Sequence, residues 1–341
     1  MTTSFPTIPG YRIERLLGTG GMAAVWLAVQ ENLGRPVALK VMANTLCLDD
    51  HFRARFLNEA RIVAQLRHPN ILSIHDSGST ADGQLYMVTD FLDGGTLKER
   101  IGSGMSAAKA LRIIAALADA LMVAHEQRIW HRDVKPDNVL FDRKENFVLA
   151  DFGIAKSDGE QAANLTGTGN IVGTPRYMSP EQFQCQPVDL RSDIYSLGVM
   201  LFEMLTGEVP YADVNTYALA LKHIQAPVPN LPVALSRLQP LLSRMLAKAP
   251  MDRFPDCAAL AAAVQDALDD VCAPSRAALP PPRVVTPARR SRTFLTGMSV
   301  FAAVGVIAWL LVSRDAPEPA PPVASTARVD PARAPDGGPD A

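Results

Sequence analysis

The spacing of apolar residues changes once along this chain, and that change limits the folds open to it. Residues 11–43 alternate apolar and polar positions around glycines, in YRIERLLGTGGMAAVWLAV and RPVALKVM, the pattern of antiparallel strands joined by tight turns. A helical spacing follows from about Asp50 to Leu66, then two more strand-like runs, Ile71 to Asp76 and Leu85 to Phe91. From Ser106 onward helices dominate. Ser106 is placed to cap AAKALRIIAALADALMVAHEQ, and Gly207 to end DIYSLGVMLFEMLT as its C′ residue. A strand-rich front and a helix-rich back predict an α+β molecule of two lobes with a cleft between them.

Past Cys272 the chain changes character. Residues 273–292 hold five prolines and five arginines and no acidic residue, a basic linker. Phe294 to Val312, FLTGMSVFAAVGVIAWLLV, then runs nineteen residues without a charge. As a helix it would be about 28 Å long, close to the ~30 Å hydrocarbon core of a bilayer, so a single transmembrane helix is expected over 294–312. Arg289, Arg290 and Arg292 precede it, whereas the 28 residues from Arg314 carry three basic and five acidic groups. By the positive-inside rule the N-terminal domain is expected in the cytoplasm, on the inner face of the plasma membrane, with the tail outside. That tail, 313–341, has seven prolines and almost no large apolar residue, and is expected to be disordered. The start, MTTSFPTIPG, is neither basic nor a long apolar run, so no signal peptide is read there.

Composition removes several classes. The 341 residues are 48% apolar with 33 basic against 35 acidic side chains, which excludes a disordered chain, a collagen-like repeat and a disulfide scaffold. The balance gives no reason to expect a nucleic-acid partner. Cys47, Cys185, Cys257 and Cys272 lie too far apart for a zinc ribbon or a redox pair and are read as reduced thiols.

The chemistry begins at Leu17-Gly18-Thr19-Gly20-Gly21-Met22-Ala23-Ala24-Val25, where glycines let backbone N–H groups approach phosphate oxygens. Val37-Ala38-Leu39-Lys40 then places a lysine inside an apolar strand. A buried ammonium needs anions beside it, and Glu59 in the predicted helix is one candidate, a phosphate the other. His131-Arg132-Asp133-Val134-Lys135-Pro136-Asp137-Asn138 and Asp151-Phe152-Gly153 follow. Asn138 and Asp151 offer the hard oxygen donors magnesium prefers, and His131 is read as a packed structural residue, not a base.

Taken together, in this order over residues 11–270, these motifs resemble the protein kinases, and specifically the bacterial, eukaryotic-like (Hanks-type) transmembrane Ser/Thr kinases. The resemblance implies a bilobal kinase fold with a β-rich N-lobe and a helical C-lobe. By it Leu17, Gly18, Gly20, Gly21 and Val25 would cover ATP, and Lys40 would hold the α- and β-phosphates while paired to Glu59. Asp133 would accept the proton of the acceptor hydroxyl, Lys135 would steady the transferred phosphoryl, and Asn138 and Asp151 would hold Mg2+, with Mn2+ as the substitute. Asp90-Phe91-Leu92 resembles the hinge whose backbone binds adenine, with Thr89 in the gatekeeper place and Ala38, Val25 and Leu140 lining the pocket. Ser179-Pro180-Glu181 stands where the family has Ala-Pro-Glu, Arg253 where an arginine pairs with Glu181, and Asp193 where a buried aspartate anchors the catalytic loop.

The third loop glycine is Ala23, which makes that turn less permissive. Arg132 before Asp133 goes, in the family, with activation by phosphorylation, and Thr166 and Thr168 fit the place of the autophosphorylation sites. Thr174, with Lys135, resembles the feature that goes with Ser/Thr acceptors. The implied function is a non-specific, membrane-anchored serine/threonine protein kinase acting on protein substrates. A homodimer through the span would rest on the small residues Gly297 and Ala303, without a Gly-x-x-x-Gly pair. The rival readings are a pseudokinase scaffold, against which Lys40, Asp133, Asn138 and Asp151 all stand in place, and a small-molecule phosphotransferase, against which the Ser-Pro-Glu segment and the loop threonines stand.

Overall fold

The computed structural model describes residues 6–80, 82–102, 104–153 and 175–273. The first part of the chain forms one antiparallel sheet from β1 (Tyr11–Thr19), β2 (Ala23–Gln30), β3 (Arg35–Met42), β4 (Ile74–Ser79) and β5 (Leu85–Asp90), in the order β1-β2-β3-β5-β4. Between β3 and β4 run a short α1 (Asn44–Cys47) and α2 (Asp50–Val63), the latter capped by Asp49, whose side chain accepts the N–H of His51. The two-residue period of a strand explains how β3 carries a lysine. Val37, Leu39 and Val41 point into a buried cluster with Ile8, Trp26, Ala28 and Val88. Ala38 and Lys40 therefore fall on the other face, and their cross-strand partners, Thr89 for Ala38 and Val25 and Met87 for Lys40, share it.

The second part is helical, with α3 (Leu97–Ile101), α4 (Ala107–Glu126), α5 (Pro180–Phe183), α6 (Leu190–Thr206), α7 (Thr216–Gln225), α8 (Gln239–Met245) and α9 (Cys257–Cys272). Ser106 caps α4, accepting the N–H of Lys109, and Gly207 ends α6 in the left-handed conformation at φ +83°, as the sequence implies. α4 and α6 form the centre of the core, with Leu111, Ile114, Leu117, Leu121, Ile194 and Leu201 fully buried. Each such side chain contributes about 1.5–3 kcal/mol by leaving water.

A small hairpin, β6 (Val139–Phe141) and β7 (Phe147–Leu149), lies between the lobes, turned by Asp142, whose carboxylate accepts the N–H groups of Lys144 and Asn146. It sets Asn138 just before one strand and Asp151 shortly after the other. The strand predicted from Ile71 begins instead at Ile74. Residues 70–72 turn toward the hairpin, where Leu149 N–H donates to Asn70 O and Leu72 N–H to Leu149 O. Among the described residues no helix is long and apolar enough to cross a membrane. The predicted linker beyond Ala273, the span and the tail lie outside the described residues, as do Thr166, Thr168 and Thr174.

Candidate active site

A cleft of about 720 Å³ separates sheet and helices, within the ~300–1,000 Å³ of small-molecule sites. Leu17, Gly18, Gly20, Gly21, Val25 and Ala38 roof it, and Asp90 and Leu92 close one end. Lys40, Asp133, Lys135, Asn138, Leu140 and Asp151 line it as well. The β1–β2 turn over this space is held by a hydrogen bond from Gly20 N–H to Ala23 O, 2.8 Å.

Lys40 does not take the partner expected from sequence. Its Nζ lies 2.7 Å from Asp151 Oδ1, while Glu59 is absent from the cleft. Glu59 instead lines a separate cavity of about 280 Å³ with Trp130, Arg132 and Phe152. Glu59 on α2 faces that other cavity, and Asp151, already inside the cleft, takes its place beside the ammonium. The Lys40–Glu59 pair of the sequence reading is thus replaced by Lys40–Asp151.

The loop that carries Asp133 is joined by short contacts. Lys135 Nζ donates to Asp133 Oδ2 at 2.8 Å, and Asn138 Nδ2 donates to Asp133 O at 2.8 Å and to its Oδ2 at 3.2 Å. With the amide nitrogen so engaged, Asn138 keeps its oxygen for a cation. Beneath, the buried Asp193 accepts the backbone N–H groups of His131 (2.9 Å) and Arg132 (2.8 Å), and His125 Nε2–H at 2.8 Å. Burial alone would raise this carboxyl, but the hydrogen bond and charge of His125 hold it below the usual range. His131 is fully buried, its pKa lowered by burial, with Nε2 3.0 Å from Ala150 O. That is the structural residue the sequence suggested.

Arg132 and Asp151 both adopt positive φ, +61° and +58°, a conformation non-glycine residues hold only when their surroundings impose it. Two contacts impose it here. Asp193 fixes the N–H of Arg132, and Gly153 N–H donates to His131 O at 3.1 Å. A Cβ at Gly153 would lie 2.8 Å from that oxygen, so only glycine allows this approach. Below the loop, Arg253 donates twice to Glu181, Nη1 to Oε1 at 2.7 Å and Nη2 to Oε2 at 2.8 Å, both side chains buried. Burial would raise Glu181, but Arg253 and the Ser192 hydroxyl hold it low. Ser179 caps α5 in a capping box with Gln182, whose amide reaches Arg132 O at 3.0 Å.

Among the described residues no three His, Cys, Asp or Glu gather as a metal cage. One carboxylate and one amide oxygen suit instead a hard cation whose remaining ligands are water and phosphate.

The sequence model of the protein kinase domain matches residues 11–265. The chain belongs to that family. Its kinase domain is 41% identical over 270 residues to serine/threonine-protein kinase PknJ of Mycobacterium tuberculosis, covering 76% of this chain and 45% of that protein. It is 38% identical over 323 residues to serine/threonine-protein kinase PknF of the same organism, covering 91% of this chain and 67% of that protein. The chain thus spans about half the length of the first of these relatives. The solved M. tuberculosis PknI kinase domain superposes with a TM-score of 0.61 at 32% identity, over 78% of this chain and 97% of that one. These relatives are bacterial Hanks-type kinases, as the motif order implied.

This kinase domain also lines its cleft with Leu72, Met87, Thr96 and Ala150, which sequence reasoning did not single out. Met87 was findable, since it precedes Thr89 by one strand period. Leu72 fell in the run read as a strand from Ile71, which in fact begins at Ile74, and Thr96 stands before α3, so neither carried a signal for the cleft.

Proposed function

We propose that the chain is a membrane-anchored serine/threonine protein kinase that transfers the γ-phosphoryl of ATP to Ser and Thr hydroxyls of proteins and phosphorylates its own activation segment. The observation that carries this reading is the convergence in one cleft of Asp133, Lys135 and Asn138, joined to one another, with the Lys40–Asp151 pair.

The roles follow from charge and reach. The glycine turn covers the triphosphate with backbone N–H groups. Lys40 leaves Asp151 for the α- and β-phosphate oxygens, which frees Asp151, with the oxygen of Asn138, to hold a cation. Magnesium held by these two oxygens would supply positive charge to offset that which develops on the phosphoryl oxygens. Asp133 accepts a hydrogen bond from the acceptor hydroxyl and takes its proton as the new P–O bond forms and the bond to the leaving ADP breaks. Lys135 stays with Asp133 and compensates the transferred group. Phosphoryl transfer asks chiefly for position and charge neutralisation, and these five side chains supply both.

Ser/Thr acceptors are supported by the relatives' names and by Lys135 with Thr174. The anchor rests on the uncharged run Phe294 to Val312, and similarity to PknF extends over 91% of the chain, beyond the kinase domain. Arg132 is the cation that a phosphate on Thr166 or Thr168 would meet.

Mass spectrometry of the purified full chain after incubation with ATP and magnesium, beside Asp133→Asn, tests the reading. Phosphate on Thr166 or Thr168 in the parent and none in the variant is the expected result. Folded, ATP-binding protein that carries none in either and transfers none to an added protein substrate would move the reading to a pseudokinase scaffold. If loop phosphorylation is the switch, Thr166→Ala with Thr168→Ala lowers the rate on an added substrate several-fold without abolishing it, and an unchanged rate rules the switch out.

A further inference from the structure

β4 pairs with β5 as Ile74 with Thr89 and then Asp76 with Val88, so His75 has no residue opposite it. One extra residue in an edge strand bends the strand and re-aims the side chain, and such bulges are frequent beside active sites. Here the imidazole is carried to the end of β5, where His75 Nε2 lies 2.7 Å from Asp90 Oδ1. Asp90 is the last residue of β5 and lines the cleft, and Phe91 and Leu92, which follow it, line the same end. On its other side Asp90 pairs with Val37 of β3. Asp90 is therefore held from two strands at the point where the chain leaves the sheet for the helical lobe.

We infer that His75 is a positioning residue for nucleotide binding, acting through Asp90 to fix the direction of the Asp90–Leu92 segment against the adenine base. The inference rests on the ATP-binding reading above and assigns His75 a part in it. Its weight lies in direction and not in stability, because the pair is half open to water, with side chains 21% and 50% exposed, and such pairs stabilise a fold by little. Removing the imidazole leaves the sheet intact and lets the carboxylate and the peptide after it turn.

The test uses the full chain and ATP with magnesium. His75→Ala is expected to raise KM for ATP about threefold to tenfold, the size of one lost hydrogen bond, with kcat and Tm near the parent's. His75→Gln, whose amide N–H reaches about as far as Nε2–H, should restore most of the affinity. In an Asp90→Ala background, His75→Ala should add nothing further. An unchanged KM in His75→Ala overturns the inference, as does an equal rise in the Asp90→Ala background or a loss that follows Tm instead. Calorimetric Kd for ATP is read on the same proteins. A parent that binds ATP and transfers nothing defeats the kinase reading while the Kd series still decides the role of His75.

Discussion

Asp133 and Asp151 face the same cleft, and their neighbours give them different work. Asp133 is held by Lys135 and by Asn138, all within one loop, so it stays in place whatever the cleft contains. Asp151 is tied to the other lobe by Lys40, a contact that a bound cation and nucleotide would exchange for their own. Asp151→Asn should abolish magnesium-dependent transfer. It should leave Tm nearly unchanged, because the pair is 26% and 43% exposed and such pairs contribute about 0–1 kcal/mol. Retained transfer would remove Asp151 from the cation site. Gly153→Ala tests the next residue but one: its new Cβ, 2.8 Å from His131 O, must push the Asp-Phe-Gly segment from the catalytic loop. A fall in kcat of at least tenfold with the fold retained is expected, measured by transfer rate beside circular dichroism.

Among the elements, α5, α6 and the turn before α9 are joined by the Glu181–Arg253 pair, buried and bidentate. Arg253→Ala leaves Glu181 buried without its cation and should destabilise the domain by about 3–5 kcal/mol, read by urea unfolding. A loss under about 1 kcal/mol would mean that water replaces the guanidinium. This pair was legible because two residues far apart in sequence matched known family places. Caps were legible for a local reason: Ser106 and Gly207 each act on their own helix and need no knowledge of the rest. The face of β3 was legible too, since period two decides it. The Lys40–Glu59 pair was not, because it depends on how far α2 is turned toward the sheet, and no residue pattern within α2 states that. Nor was His75, whose exposed position in β4 looks ordinary until the bulge is seen.

For the whole molecule, the buried titratable groups act mostly in one direction in acid. His223 is fully buried among Phe183, Tyr195 and Tyr211, and burial, with Lys248 nearby, lowers it from 6.5 to about 3. Between those values the unfolded chain binds a proton that the folded one refuses, so stability falls as pH drops through that window. His131 adds to the fall with the same sign. Glu181 and Asp193, held low, give stability that is present above the ordinary carboxylate pKa and lost further down. Tm should therefore drop steadily from pH 7 to pH 4, and His223→Gln should flatten the upper part of that slope. A parallel slope in the variant would assign the acid loss elsewhere. At high pH, Tyr177 and Tyr195, raised by burial, ionise first in the unfolded chain, so stability falls again above about 10.

Asp193 grips the catalytic loop through main-chain N–H groups and not through side chains. The grip itself excludes only proline, which has no N–H to offer, and the limits on positions 131 and 132 come instead from the buried packing of His131 and the positive φ of Arg132. A loop seated in this way can be rewritten around Asp133 by evolution or by an engineer, trading one regulatory habit for another, without being unmoored from the helix beneath it.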